Sequence, residues 1–191
     1  PSLIGAIFIV TFIKEKKSAE KKIFPGLRFR DLDANFRLFM VASAVFSLGA
    51  FSYSFLMIFA NKYGFAETTI PLLYLIFTAA AAAVSIPFGR LSDKIRSRKK
   101  VFLLSYALWI AVCALFMANQ SAAAIIAGFI LYGLHKGAFE AVQKALVSEL
   151  APEKYRASSL GAIQLITGVC ALPASLAAGI LWSAFNPFVP F

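Results

Sequence analysis

The side chains best suited to chemistry lie together in one apolar stretch, which begins at Ala122 and ends near Pro152. After an uncharged run, this stretch contains a group of polar and charged residues: His135, Lys136, Glu140, Gln143 and Lys144. A charge at the centre of a bilayer costs about 2.5 to 3.5 kcal/mol on insertion scales, so charged groups in membrane spans usually face the protein interior and are paired. The stretch is therefore a candidate site for binding a charged substrate or carrying a proton.

The spacing of these residues predicts which of them act together on a helix. Tyr132, Lys136, Glu140 and Gln143 share one face, and the interval of four allows an ion pair between Lys136 and Glu140. Counted from the outer edge of the span with the helical rise, Lys136 lies about 22 Å and Glu140 about 28 Å into the membrane. The group is either a cavity-facing functional cluster or a structural ion pair with side chains that extend to the headgroups. His135 is expected on a different face.

Composition indicates a membrane protein whose spans position these residues. Hydrophobic residues make up 60% of the chain, and the mean hydropathy is +0.78. The net charge of +10 lies in blocks between apolar runs, which the positive-inside rule explains without nucleic-acid binding. Cys113 and Cys170 lie within apolar runs with no metal-like spacing. The sequence also shows no nucleophile–base pair or carboxylate pair, so we predict neither an enzyme nor a bound metal or cofactor.

The apolar runs predict an all-α, polytopic transmembrane helical bundle. Complete spans are expected at about five positions: 38–60, 70–88, 101–118, 122–150 and 158–185. Residues 1–13 are too short to span alone and are predicted to end a preceding transmembrane helix. The charged segment 14–37 is predicted to be a cytoplasmic linker, and 38–191 a transmembrane bundle whose last helix is missing. The chain is therefore predicted to be a fragment.

A charged segment over 89–100 separates the second and third of these spans. Lys and Arg dominate it, and loops of this composition stay on the cytoplasmic side of the membrane during insertion. It therefore predicts a hairpin exposed to the cytosol, with both neighbouring spans running outward from it.

This segment resembles the cytoplasmic loop motif of major facilitator superfamily transporters, approximately G-x-L-[SA]-D-[RK]-x-G-x-[RK]-[RK]. The matching residues are Gly89, Leu91, Ser92, Asp93, Lys94, Arg98 and Lys99. Arg96 stands where the motif has its central glycine, so the tight turn that glycine would allow must be made otherwise. Further along, the residues Glu149, Pro152, Arg156 and Gly161 are similar to the junction of the fourth and fifth helices in a half of such a transporter.

The resemblance implies a C-terminal six-helix half whose partners are the lipid bilayer and a missing N-terminal half of the same chain. It also implies a secondary active transporter that moves a small-molecule substrate across the cytoplasmic (inner) membrane by alternating access. A proton is a candidate coupling ion. A non-transporting sensor or assembly protein on the same scaffold is the alternative, and the substrate and the direction of transport stay open.

The two matching loops imply a cytoplasmic gate. Asp93 is implied to lie near a helix N-terminus, and Arg98 to bridge it to Glu149. Gly89, Lys94 and Arg156 complete the gate motif. The alternative is a set of loop charges that only fix the orientation of the spans.

Two further features concern the walls of the bundle. Gly133 and Gly137 form a G-x-x-x-G pair, which predicts a close helix crossing. Gln164 and Thr167 are the polar pair of the last complete span. They either reach the substrate path, or the Gln164 amide only finds a hydrogen-bond partner within a helix interface.

Overall fold

The computed structural model of this chain describes residues 32–50 and 52–191. The predicted helix end at 1–13 and most of the predicted linker 14–37 lie outside the described residues. Within the described part the chain folds into helices with no strand, so the predicted all-α class is confirmed. The helices are α1 (Ala34–Gly49), α2 (Tyr53–Lys62), α3 (Ile70–Lys94), α4 (Arg98–Ala118), α5 (Ala122–Leu150) and α6 (Arg156–Ala184), with short 3₁₀ turns at Glu67–Thr69 and Glu153–Tyr155.

Across the described residues, five helical segments are long and apolar enough to cross a membrane. Their ranges are Ala34–Lys62, Glu67–Lys94, Arg98–Ala118, Ala122–Leu150 and Glu153–Ala184. Polar residues mark the points where the chain turns back. Ser121, for example, caps α5 by accepting a hydrogen bond from the Ala124 N–H at 3.3 Å, which satisfies one of the free amides of the first turn. The chain is thus a multi-pass membrane protein.

The first of these segments is broken, although the sequence predicts one continuous span over 38–60. Helix α1 ends at Gly49, and Ala50 has an extended backbone with φ −101° and ψ 91°. Ser52 then caps α2, because its Oγ accepts a hydrogen bond from the Ser54 N–H at 3.3 Å. A break leaves backbone groups without helical partners. At membrane depth it is tolerated only where protein or a water-filled cavity surrounds it.

Buried side chains form one cluster toward each end of the bundle. The cluster at the end of the bundle with the turn between α4 and α5 includes Leu56, Phe59, Phe116, Ile125 and Phe129. The cluster at the loop ends that carry the basic segment includes Phe36, Val101, Phe102, Val142 and Ile163. The middle of the bundle, between these two apolar clusters, contains the polar residues that the sequence singled out.

Helices α3 and α5 cross closely, as the G-x-x-x-G pair predicts. A Cβ atom added to Gly133 would collide with the carbonyl oxygen of Phe77, and one added to Gly137 would lie 2.6 Å from the carbonyl oxygen of Ala81. Only glycine therefore lets the two backbones approach to this distance. The crossing fixes α5 against α3 at Gly133, about one turn before Lys136, and at Gly137, the residue that follows it.

We expect Gly137→Ala to destabilise the protein, because the added methyl group must push α3 away from α5. Overpacking of this kind costs about 1 to 3 kcal/mol, which corresponds to a fall in Tm of roughly 3 to 10 °C for a chain of this size. Thermal unfolding in detergent measures the change. Gly161→Ala is the matched control, because a Cβ there meets nothing within 4 Å. Equal Tm values for the two variants would show that the crossing does not depend on glycine.

Candidate functional site

A cleft of about 560 Å³ opens in the middle of the bundle, with walls from α1, α2, α4, α5 and α6. The five candidate residues of the predicted substrate path all line it: Tyr132, Lys136, Glu140, Gln143 and Gln164. The first four lie on one face of α5, as their spacing predicts, whereas Gln164 reaches the same cleft from α6. The structure therefore brings together side chains that the sequence places on two separate spans.

An ion pair lies at the centre of this cleft. The Nζ atom of Lys136 is 3.5 Å from Oε1 of Glu140, and the two side chains are 35% and 65% exposed. Both residues also border a second cleft of about 490 Å³, on the side of α5 that faces α2 and α3. The pair thus borders two cavities, and Glu140 is the more exposed of the two residues.

His135 lies in the wall of the cleft, although the spacing predicts a different face for it. Its Nδ1 is 2.7 Å from the carbonyl oxygen of Ser105 on α4. Because a carbonyl can only accept, Nδ1 carries the proton and donates this bond. The bond holds the buried ring in one orientation between α4 and α5. A helical wheel could not show this, since the partner comes from another helix.

Aromatic rings surround His135 and form one wall of the cleft. The rings of Trp109, Tyr132 and Phe139 have centroids 5.5, 5.9 and 5.8 Å from the imidazole. Phe46 of α1 lies 6.0 Å from it and stacks on Tyr106 with a centroid distance of 3.8 Å. Trp109 is both a buried residue and part of this wall.

The opposite side of the cleft is polar but uncharged. Gln164, Thr167 and Ser175 of α6 line it. The hydroxyl of Thr167 is used within its own helix, because it donates to the carbonyl oxygen of Ile163 at 2.9 Å. Ala50 and Ser52, which flank the break between α1 and α2, also border the cleft. The break therefore lies against a cavity, as its exposed backbone groups require.

The residues of the predicted gate form a second polar cluster, at the end of the bundle where α3 and α5 end and α4 begins. Arg98, the first residue of α4, has Nη1 3.5 Å from Oε2 of Glu149 and Nη2 3.9 Å from Oδ1 of Asp93. The same Nη1 donates to the carbonyl oxygen of Ala145 at 2.9 Å. One guanidinium thus joins the end of α3 and the end of α5 to the start of α4. This is the bridge that the resemblance implied.

The other motif residues lie around this cluster rather than in it. Asp93 lies in the last turn of α3, whereas the resemblance implied a helix N-terminus, and Lys94 is the final residue of that helix. The carbonyl oxygen of Gly89 accepts the Ser92 hydroxyl at 2.7 Å. Arg156 acts in the turn between α5 and α6, where it donates from Nε to the carbonyl oxygen of Ser148 at 3.0 Å and pairs with Glu153 at 3.4 Å.

The turn between α3 and α4 is made by Arg96 at the position where the motif has glycine. Arg96 adopts a left-handed backbone with φ of +51°. Its N–H donates to the carbonyl oxygen of Asp93 at 3.1 Å, and the N–H of Ser97 donates to that of Ser92 at 3.3 Å. These two bonds form a Schellman cap, in which glycine is the usual left-handed residue. The turn is therefore preserved at the cost of backbone strain.

A helical membrane bundle with a polar central cleft and a basic hairpin between two spans is an architecture found in multi-pass membrane transport proteins. The family model for the Major Facilitator Superfamily matches residues 38–191, and the chain belongs to this superfamily of transporters. A Methanocaldococcus jannaschii protein described as an uncharacterized MFS-type transporter is 37% identical over 190 residues, which are 95% of this chain and 48% of the relative. The chain thus spans about half the length of that relative. No solved structure matches this chain significantly.

We expect Arg96→Gly to stabilise the protein, because glycine adopts the left-handed conformation without the Cβ strain that an L-residue carries. That strain is about 1 to 2 kcal/mol, so relieving it should raise Tm by roughly 2 to 6 °C. Arg96→Ala removes the same charge but keeps the Cβ atom, and it should give no such increase. Thermal unfolding of the two variants separates the effects, and an equal rise in both would assign the gain to charge instead.

Proposed function

We propose that this chain forms the C-terminal half of a secondary transporter, which moves a small solute across the cytoplasmic membrane by alternating access. The observation that carries the proposal is the central cleft, because it places the Lys136–Glu140 ion pair between the two apolar ends of the bundle. Transporters with repeated halves bind their substrates near the midplane at the interface of the halves. The remaining helices would come from a second half, consistent with the length of the related protein.

In this proposal the Arg98 cluster acts as the cytoplasmic gate. Its pairs are partly exposed, and single exposed ion pairs contribute only about 0 to 1 kcal/mol. Three contacts from one guanidinium, to Asp93, Glu149 and Ala145, join three helix ends into one unit. Such a unit can favour the conformation in which the cytoplasmic side is closed. The energy required is small, because a shift of about 1.4 kcal/mol changes the ratio of two conformations tenfold.

The proposal assigns coupling to Glu140. Its carboxylate is the acidic group of the cleft and is paired with Lys136 on the same helix. Protonation of Glu140 would release the ammonium of Lys136, so the binding of a proton would change the charge that a substrate meets. This provides a direct electrostatic link between a proton gradient and solute binding.

Introduced cysteines at the two ends of the cleft test alternating access in the full-length protein. We expect Arg98→Gln to increase labelling at Gln143→Cys from the cytoplasmic side and decrease labelling at Ser175→Cys from outside. A loss of about 1 kcal/mol from the closed state corresponds to roughly a fivefold change in each rate. The measurement is maleimide modification in oriented vesicles, with the native Cys113 and Cys170 replaced by alanine.

Lys99→Gln is the matched control for this experiment, because Lys99 is the next residue, carries the same charge and is exposed. It should leave both labelling rates unchanged. Parallel increases at both cysteines in the Arg98 variant would mean that the bundle only loosens, and they would remove the gate from the proposal.

We expect Glu140→Gln to abolish gradient-dependent uptake while leaving exchange of internal for external solute. Glutamine keeps the size and polarity of the side chain but cannot bind or release a proton. Uptake of a panel of labelled organic acids, amines and sugars into vesicles, with and without a proton gradient, provides the measurement. Glu153→Gln, in the exposed turn before α6, is the control. Unchanged gradient dependence in Glu140→Gln would exclude this residue as the proton carrier.

A further inference from the structure

We propose that the central cleft binds an organic anion with a flat apolar body, of the size of a phenyl-substituted carboxylate. The inference rests on the proposed transport function and adds the chemical class of the solute. Three properties of the cleft support this inference: the aromatic composition of one wall, the excess of positive charge, and the short distance between the charge and the aromatic rings.

The first property is the aromatic wall. Phe46, Trp109, Tyr132 and Phe139 all line the cleft, and their rings enclose the imidazole of His135 at centroid distances of 5.5 to 6.0 Å. Ring faces and edges in such a cluster favour a flat ligand that can stack on them or meet them edge to face. Trp109 and Tyr132 are only 6% and 4% exposed, so the accessible ring surface comes from the half-buried Phe46 and Phe139. A sugar or a small inorganic ion would leave that surface uncovered.

The second property is an excess of positive charge. Lys136 and Lys144 both line the cleft, whereas Glu140 is the acidic residue that the structure places there. Lys136 is 3.5 Å from Glu140, and in the described part of the chain no carboxylate lies within ion-pair distance of Lys144. The lining of this half thus has one more cation than carboxylate. Lys144 lies about 12 Å along the helix from Lys136, and its charge makes the cleft more favourable for an anionic ligand.

The third property is the position of the charge relative to the rings. Tyr132 and Phe139 lie on α5 on either side of Lys136, and three residues of helix separate Lys136 from Phe139 by only about 4.5 Å along the axis. A carboxylate on a short arm can therefore reach the Lys136 ammonium while its ring lies against the aromatic wall. Gln143 and Gln164 line the same cleft and offer amide donors to the second carboxylate oxygen.

An organic cation fits this arrangement less well. A bound cation would have to break the Lys136–Glu140 ion pair to reach the carboxylate. The Lys136 ammonium, now unpaired, would then lie within one helical turn of the bound positive charge. An anion makes the opposite exchange, because it replaces Glu140 at Lys136 and the displaced carboxylate is already 65% exposed. The ligand and Glu140 therefore compete for one ammonium group.

Four probes test the inference on the full-length protein in lipid nanodiscs: three share a phenyl ring on a short arm, and the fourth has the carboxylate without the ring. They are 3-phenylpropionate, 3-phenylpropylamine, 3-phenylpropanol and propionate, with binding measured by calorimetry. We expect 3-phenylpropionate to bind at least about tenfold more tightly than each of the other three, because only it matches both the charge and the ring. Lys136→Gln should reduce its affinity about tenfold, and Glu140→Gln should increase it by removing the competing carboxylate. Lys154→Gln, in the cytoplasmic turn, should change nothing.

Tighter binding of the amine or the alcohol, or binding of none of the four, would overturn the proposed class of ligand. Vesicle experiments with the same probes separate this failure from failure of the transport proposal. Binding of 3-phenylpropionate without uptake or exchange would support the ligand class and contradict transport. Uptake of the amine without uptake of the acid would support transport and contradict the ligand class.

Discussion

The energetic cost of an unpaired charge or backbone group in hydrocarbon governs this structure. It favours placing basic residues outside the apolar runs, where most of them lie in the sequence, and it requires that the few charges within α5 have partners or a cavity. The Lys136–Glu140 pair has both. The same cost explains why the break between α1 and α2 lies beside the central cleft, where its free backbone groups are away from lipid. The same constraint therefore explains why the Lys136–Glu140 pair and the break between α1 and α2 both lie beside the central cleft.

The close crossing of α3 and α5 determines where that cavity lies. Gly133 and Gly137 let the two backbones meet on one side of α5, while Lys136 and Glu140 project from the same helix into the space between the other spans. The bond from His135 to Ser105 then fixes α4 against α5. These contacts make α5 the central element, since it carries the charged pair and also provides its rigid support.

Features set by local spacing could be predicted from the sequence. The helical interval of four predicted the Lys136–Glu140 pair, G-x-x-x-G predicted the helix crossing, and the loop motif implied the bridge from Arg98. Features set by contacts between distant helices could not be predicted in this way. They include the break at Ala50, because the apolar run continues across Gly49 and Ser52, and the wall of aromatic rings around His135, which three helices build together. The sequence showed that the turn at Arg96 lacks the usual glycine, but it did not show how the turn is made. The structure keeps the left-handed turn, because two backbone hydrogen bonds hold an arginine in a conformation that its Cβ atom disfavours.

The most direct measurement of the central claim is the side of the membrane on which each loop lies. Single cysteines would replace Ile95, Ser121 and Glu153 in the full-length protein without native cysteines, and an impermeant maleimide would be applied to vesicles of each orientation. We expect positions 95 and 153 to react only from the cytosolic side and position 121 only from the outer side. Reaction of positions 95 and 121 from the same side would mean that α4 does not cross the bilayer, and it would contradict the charge-based arrangement of the spans.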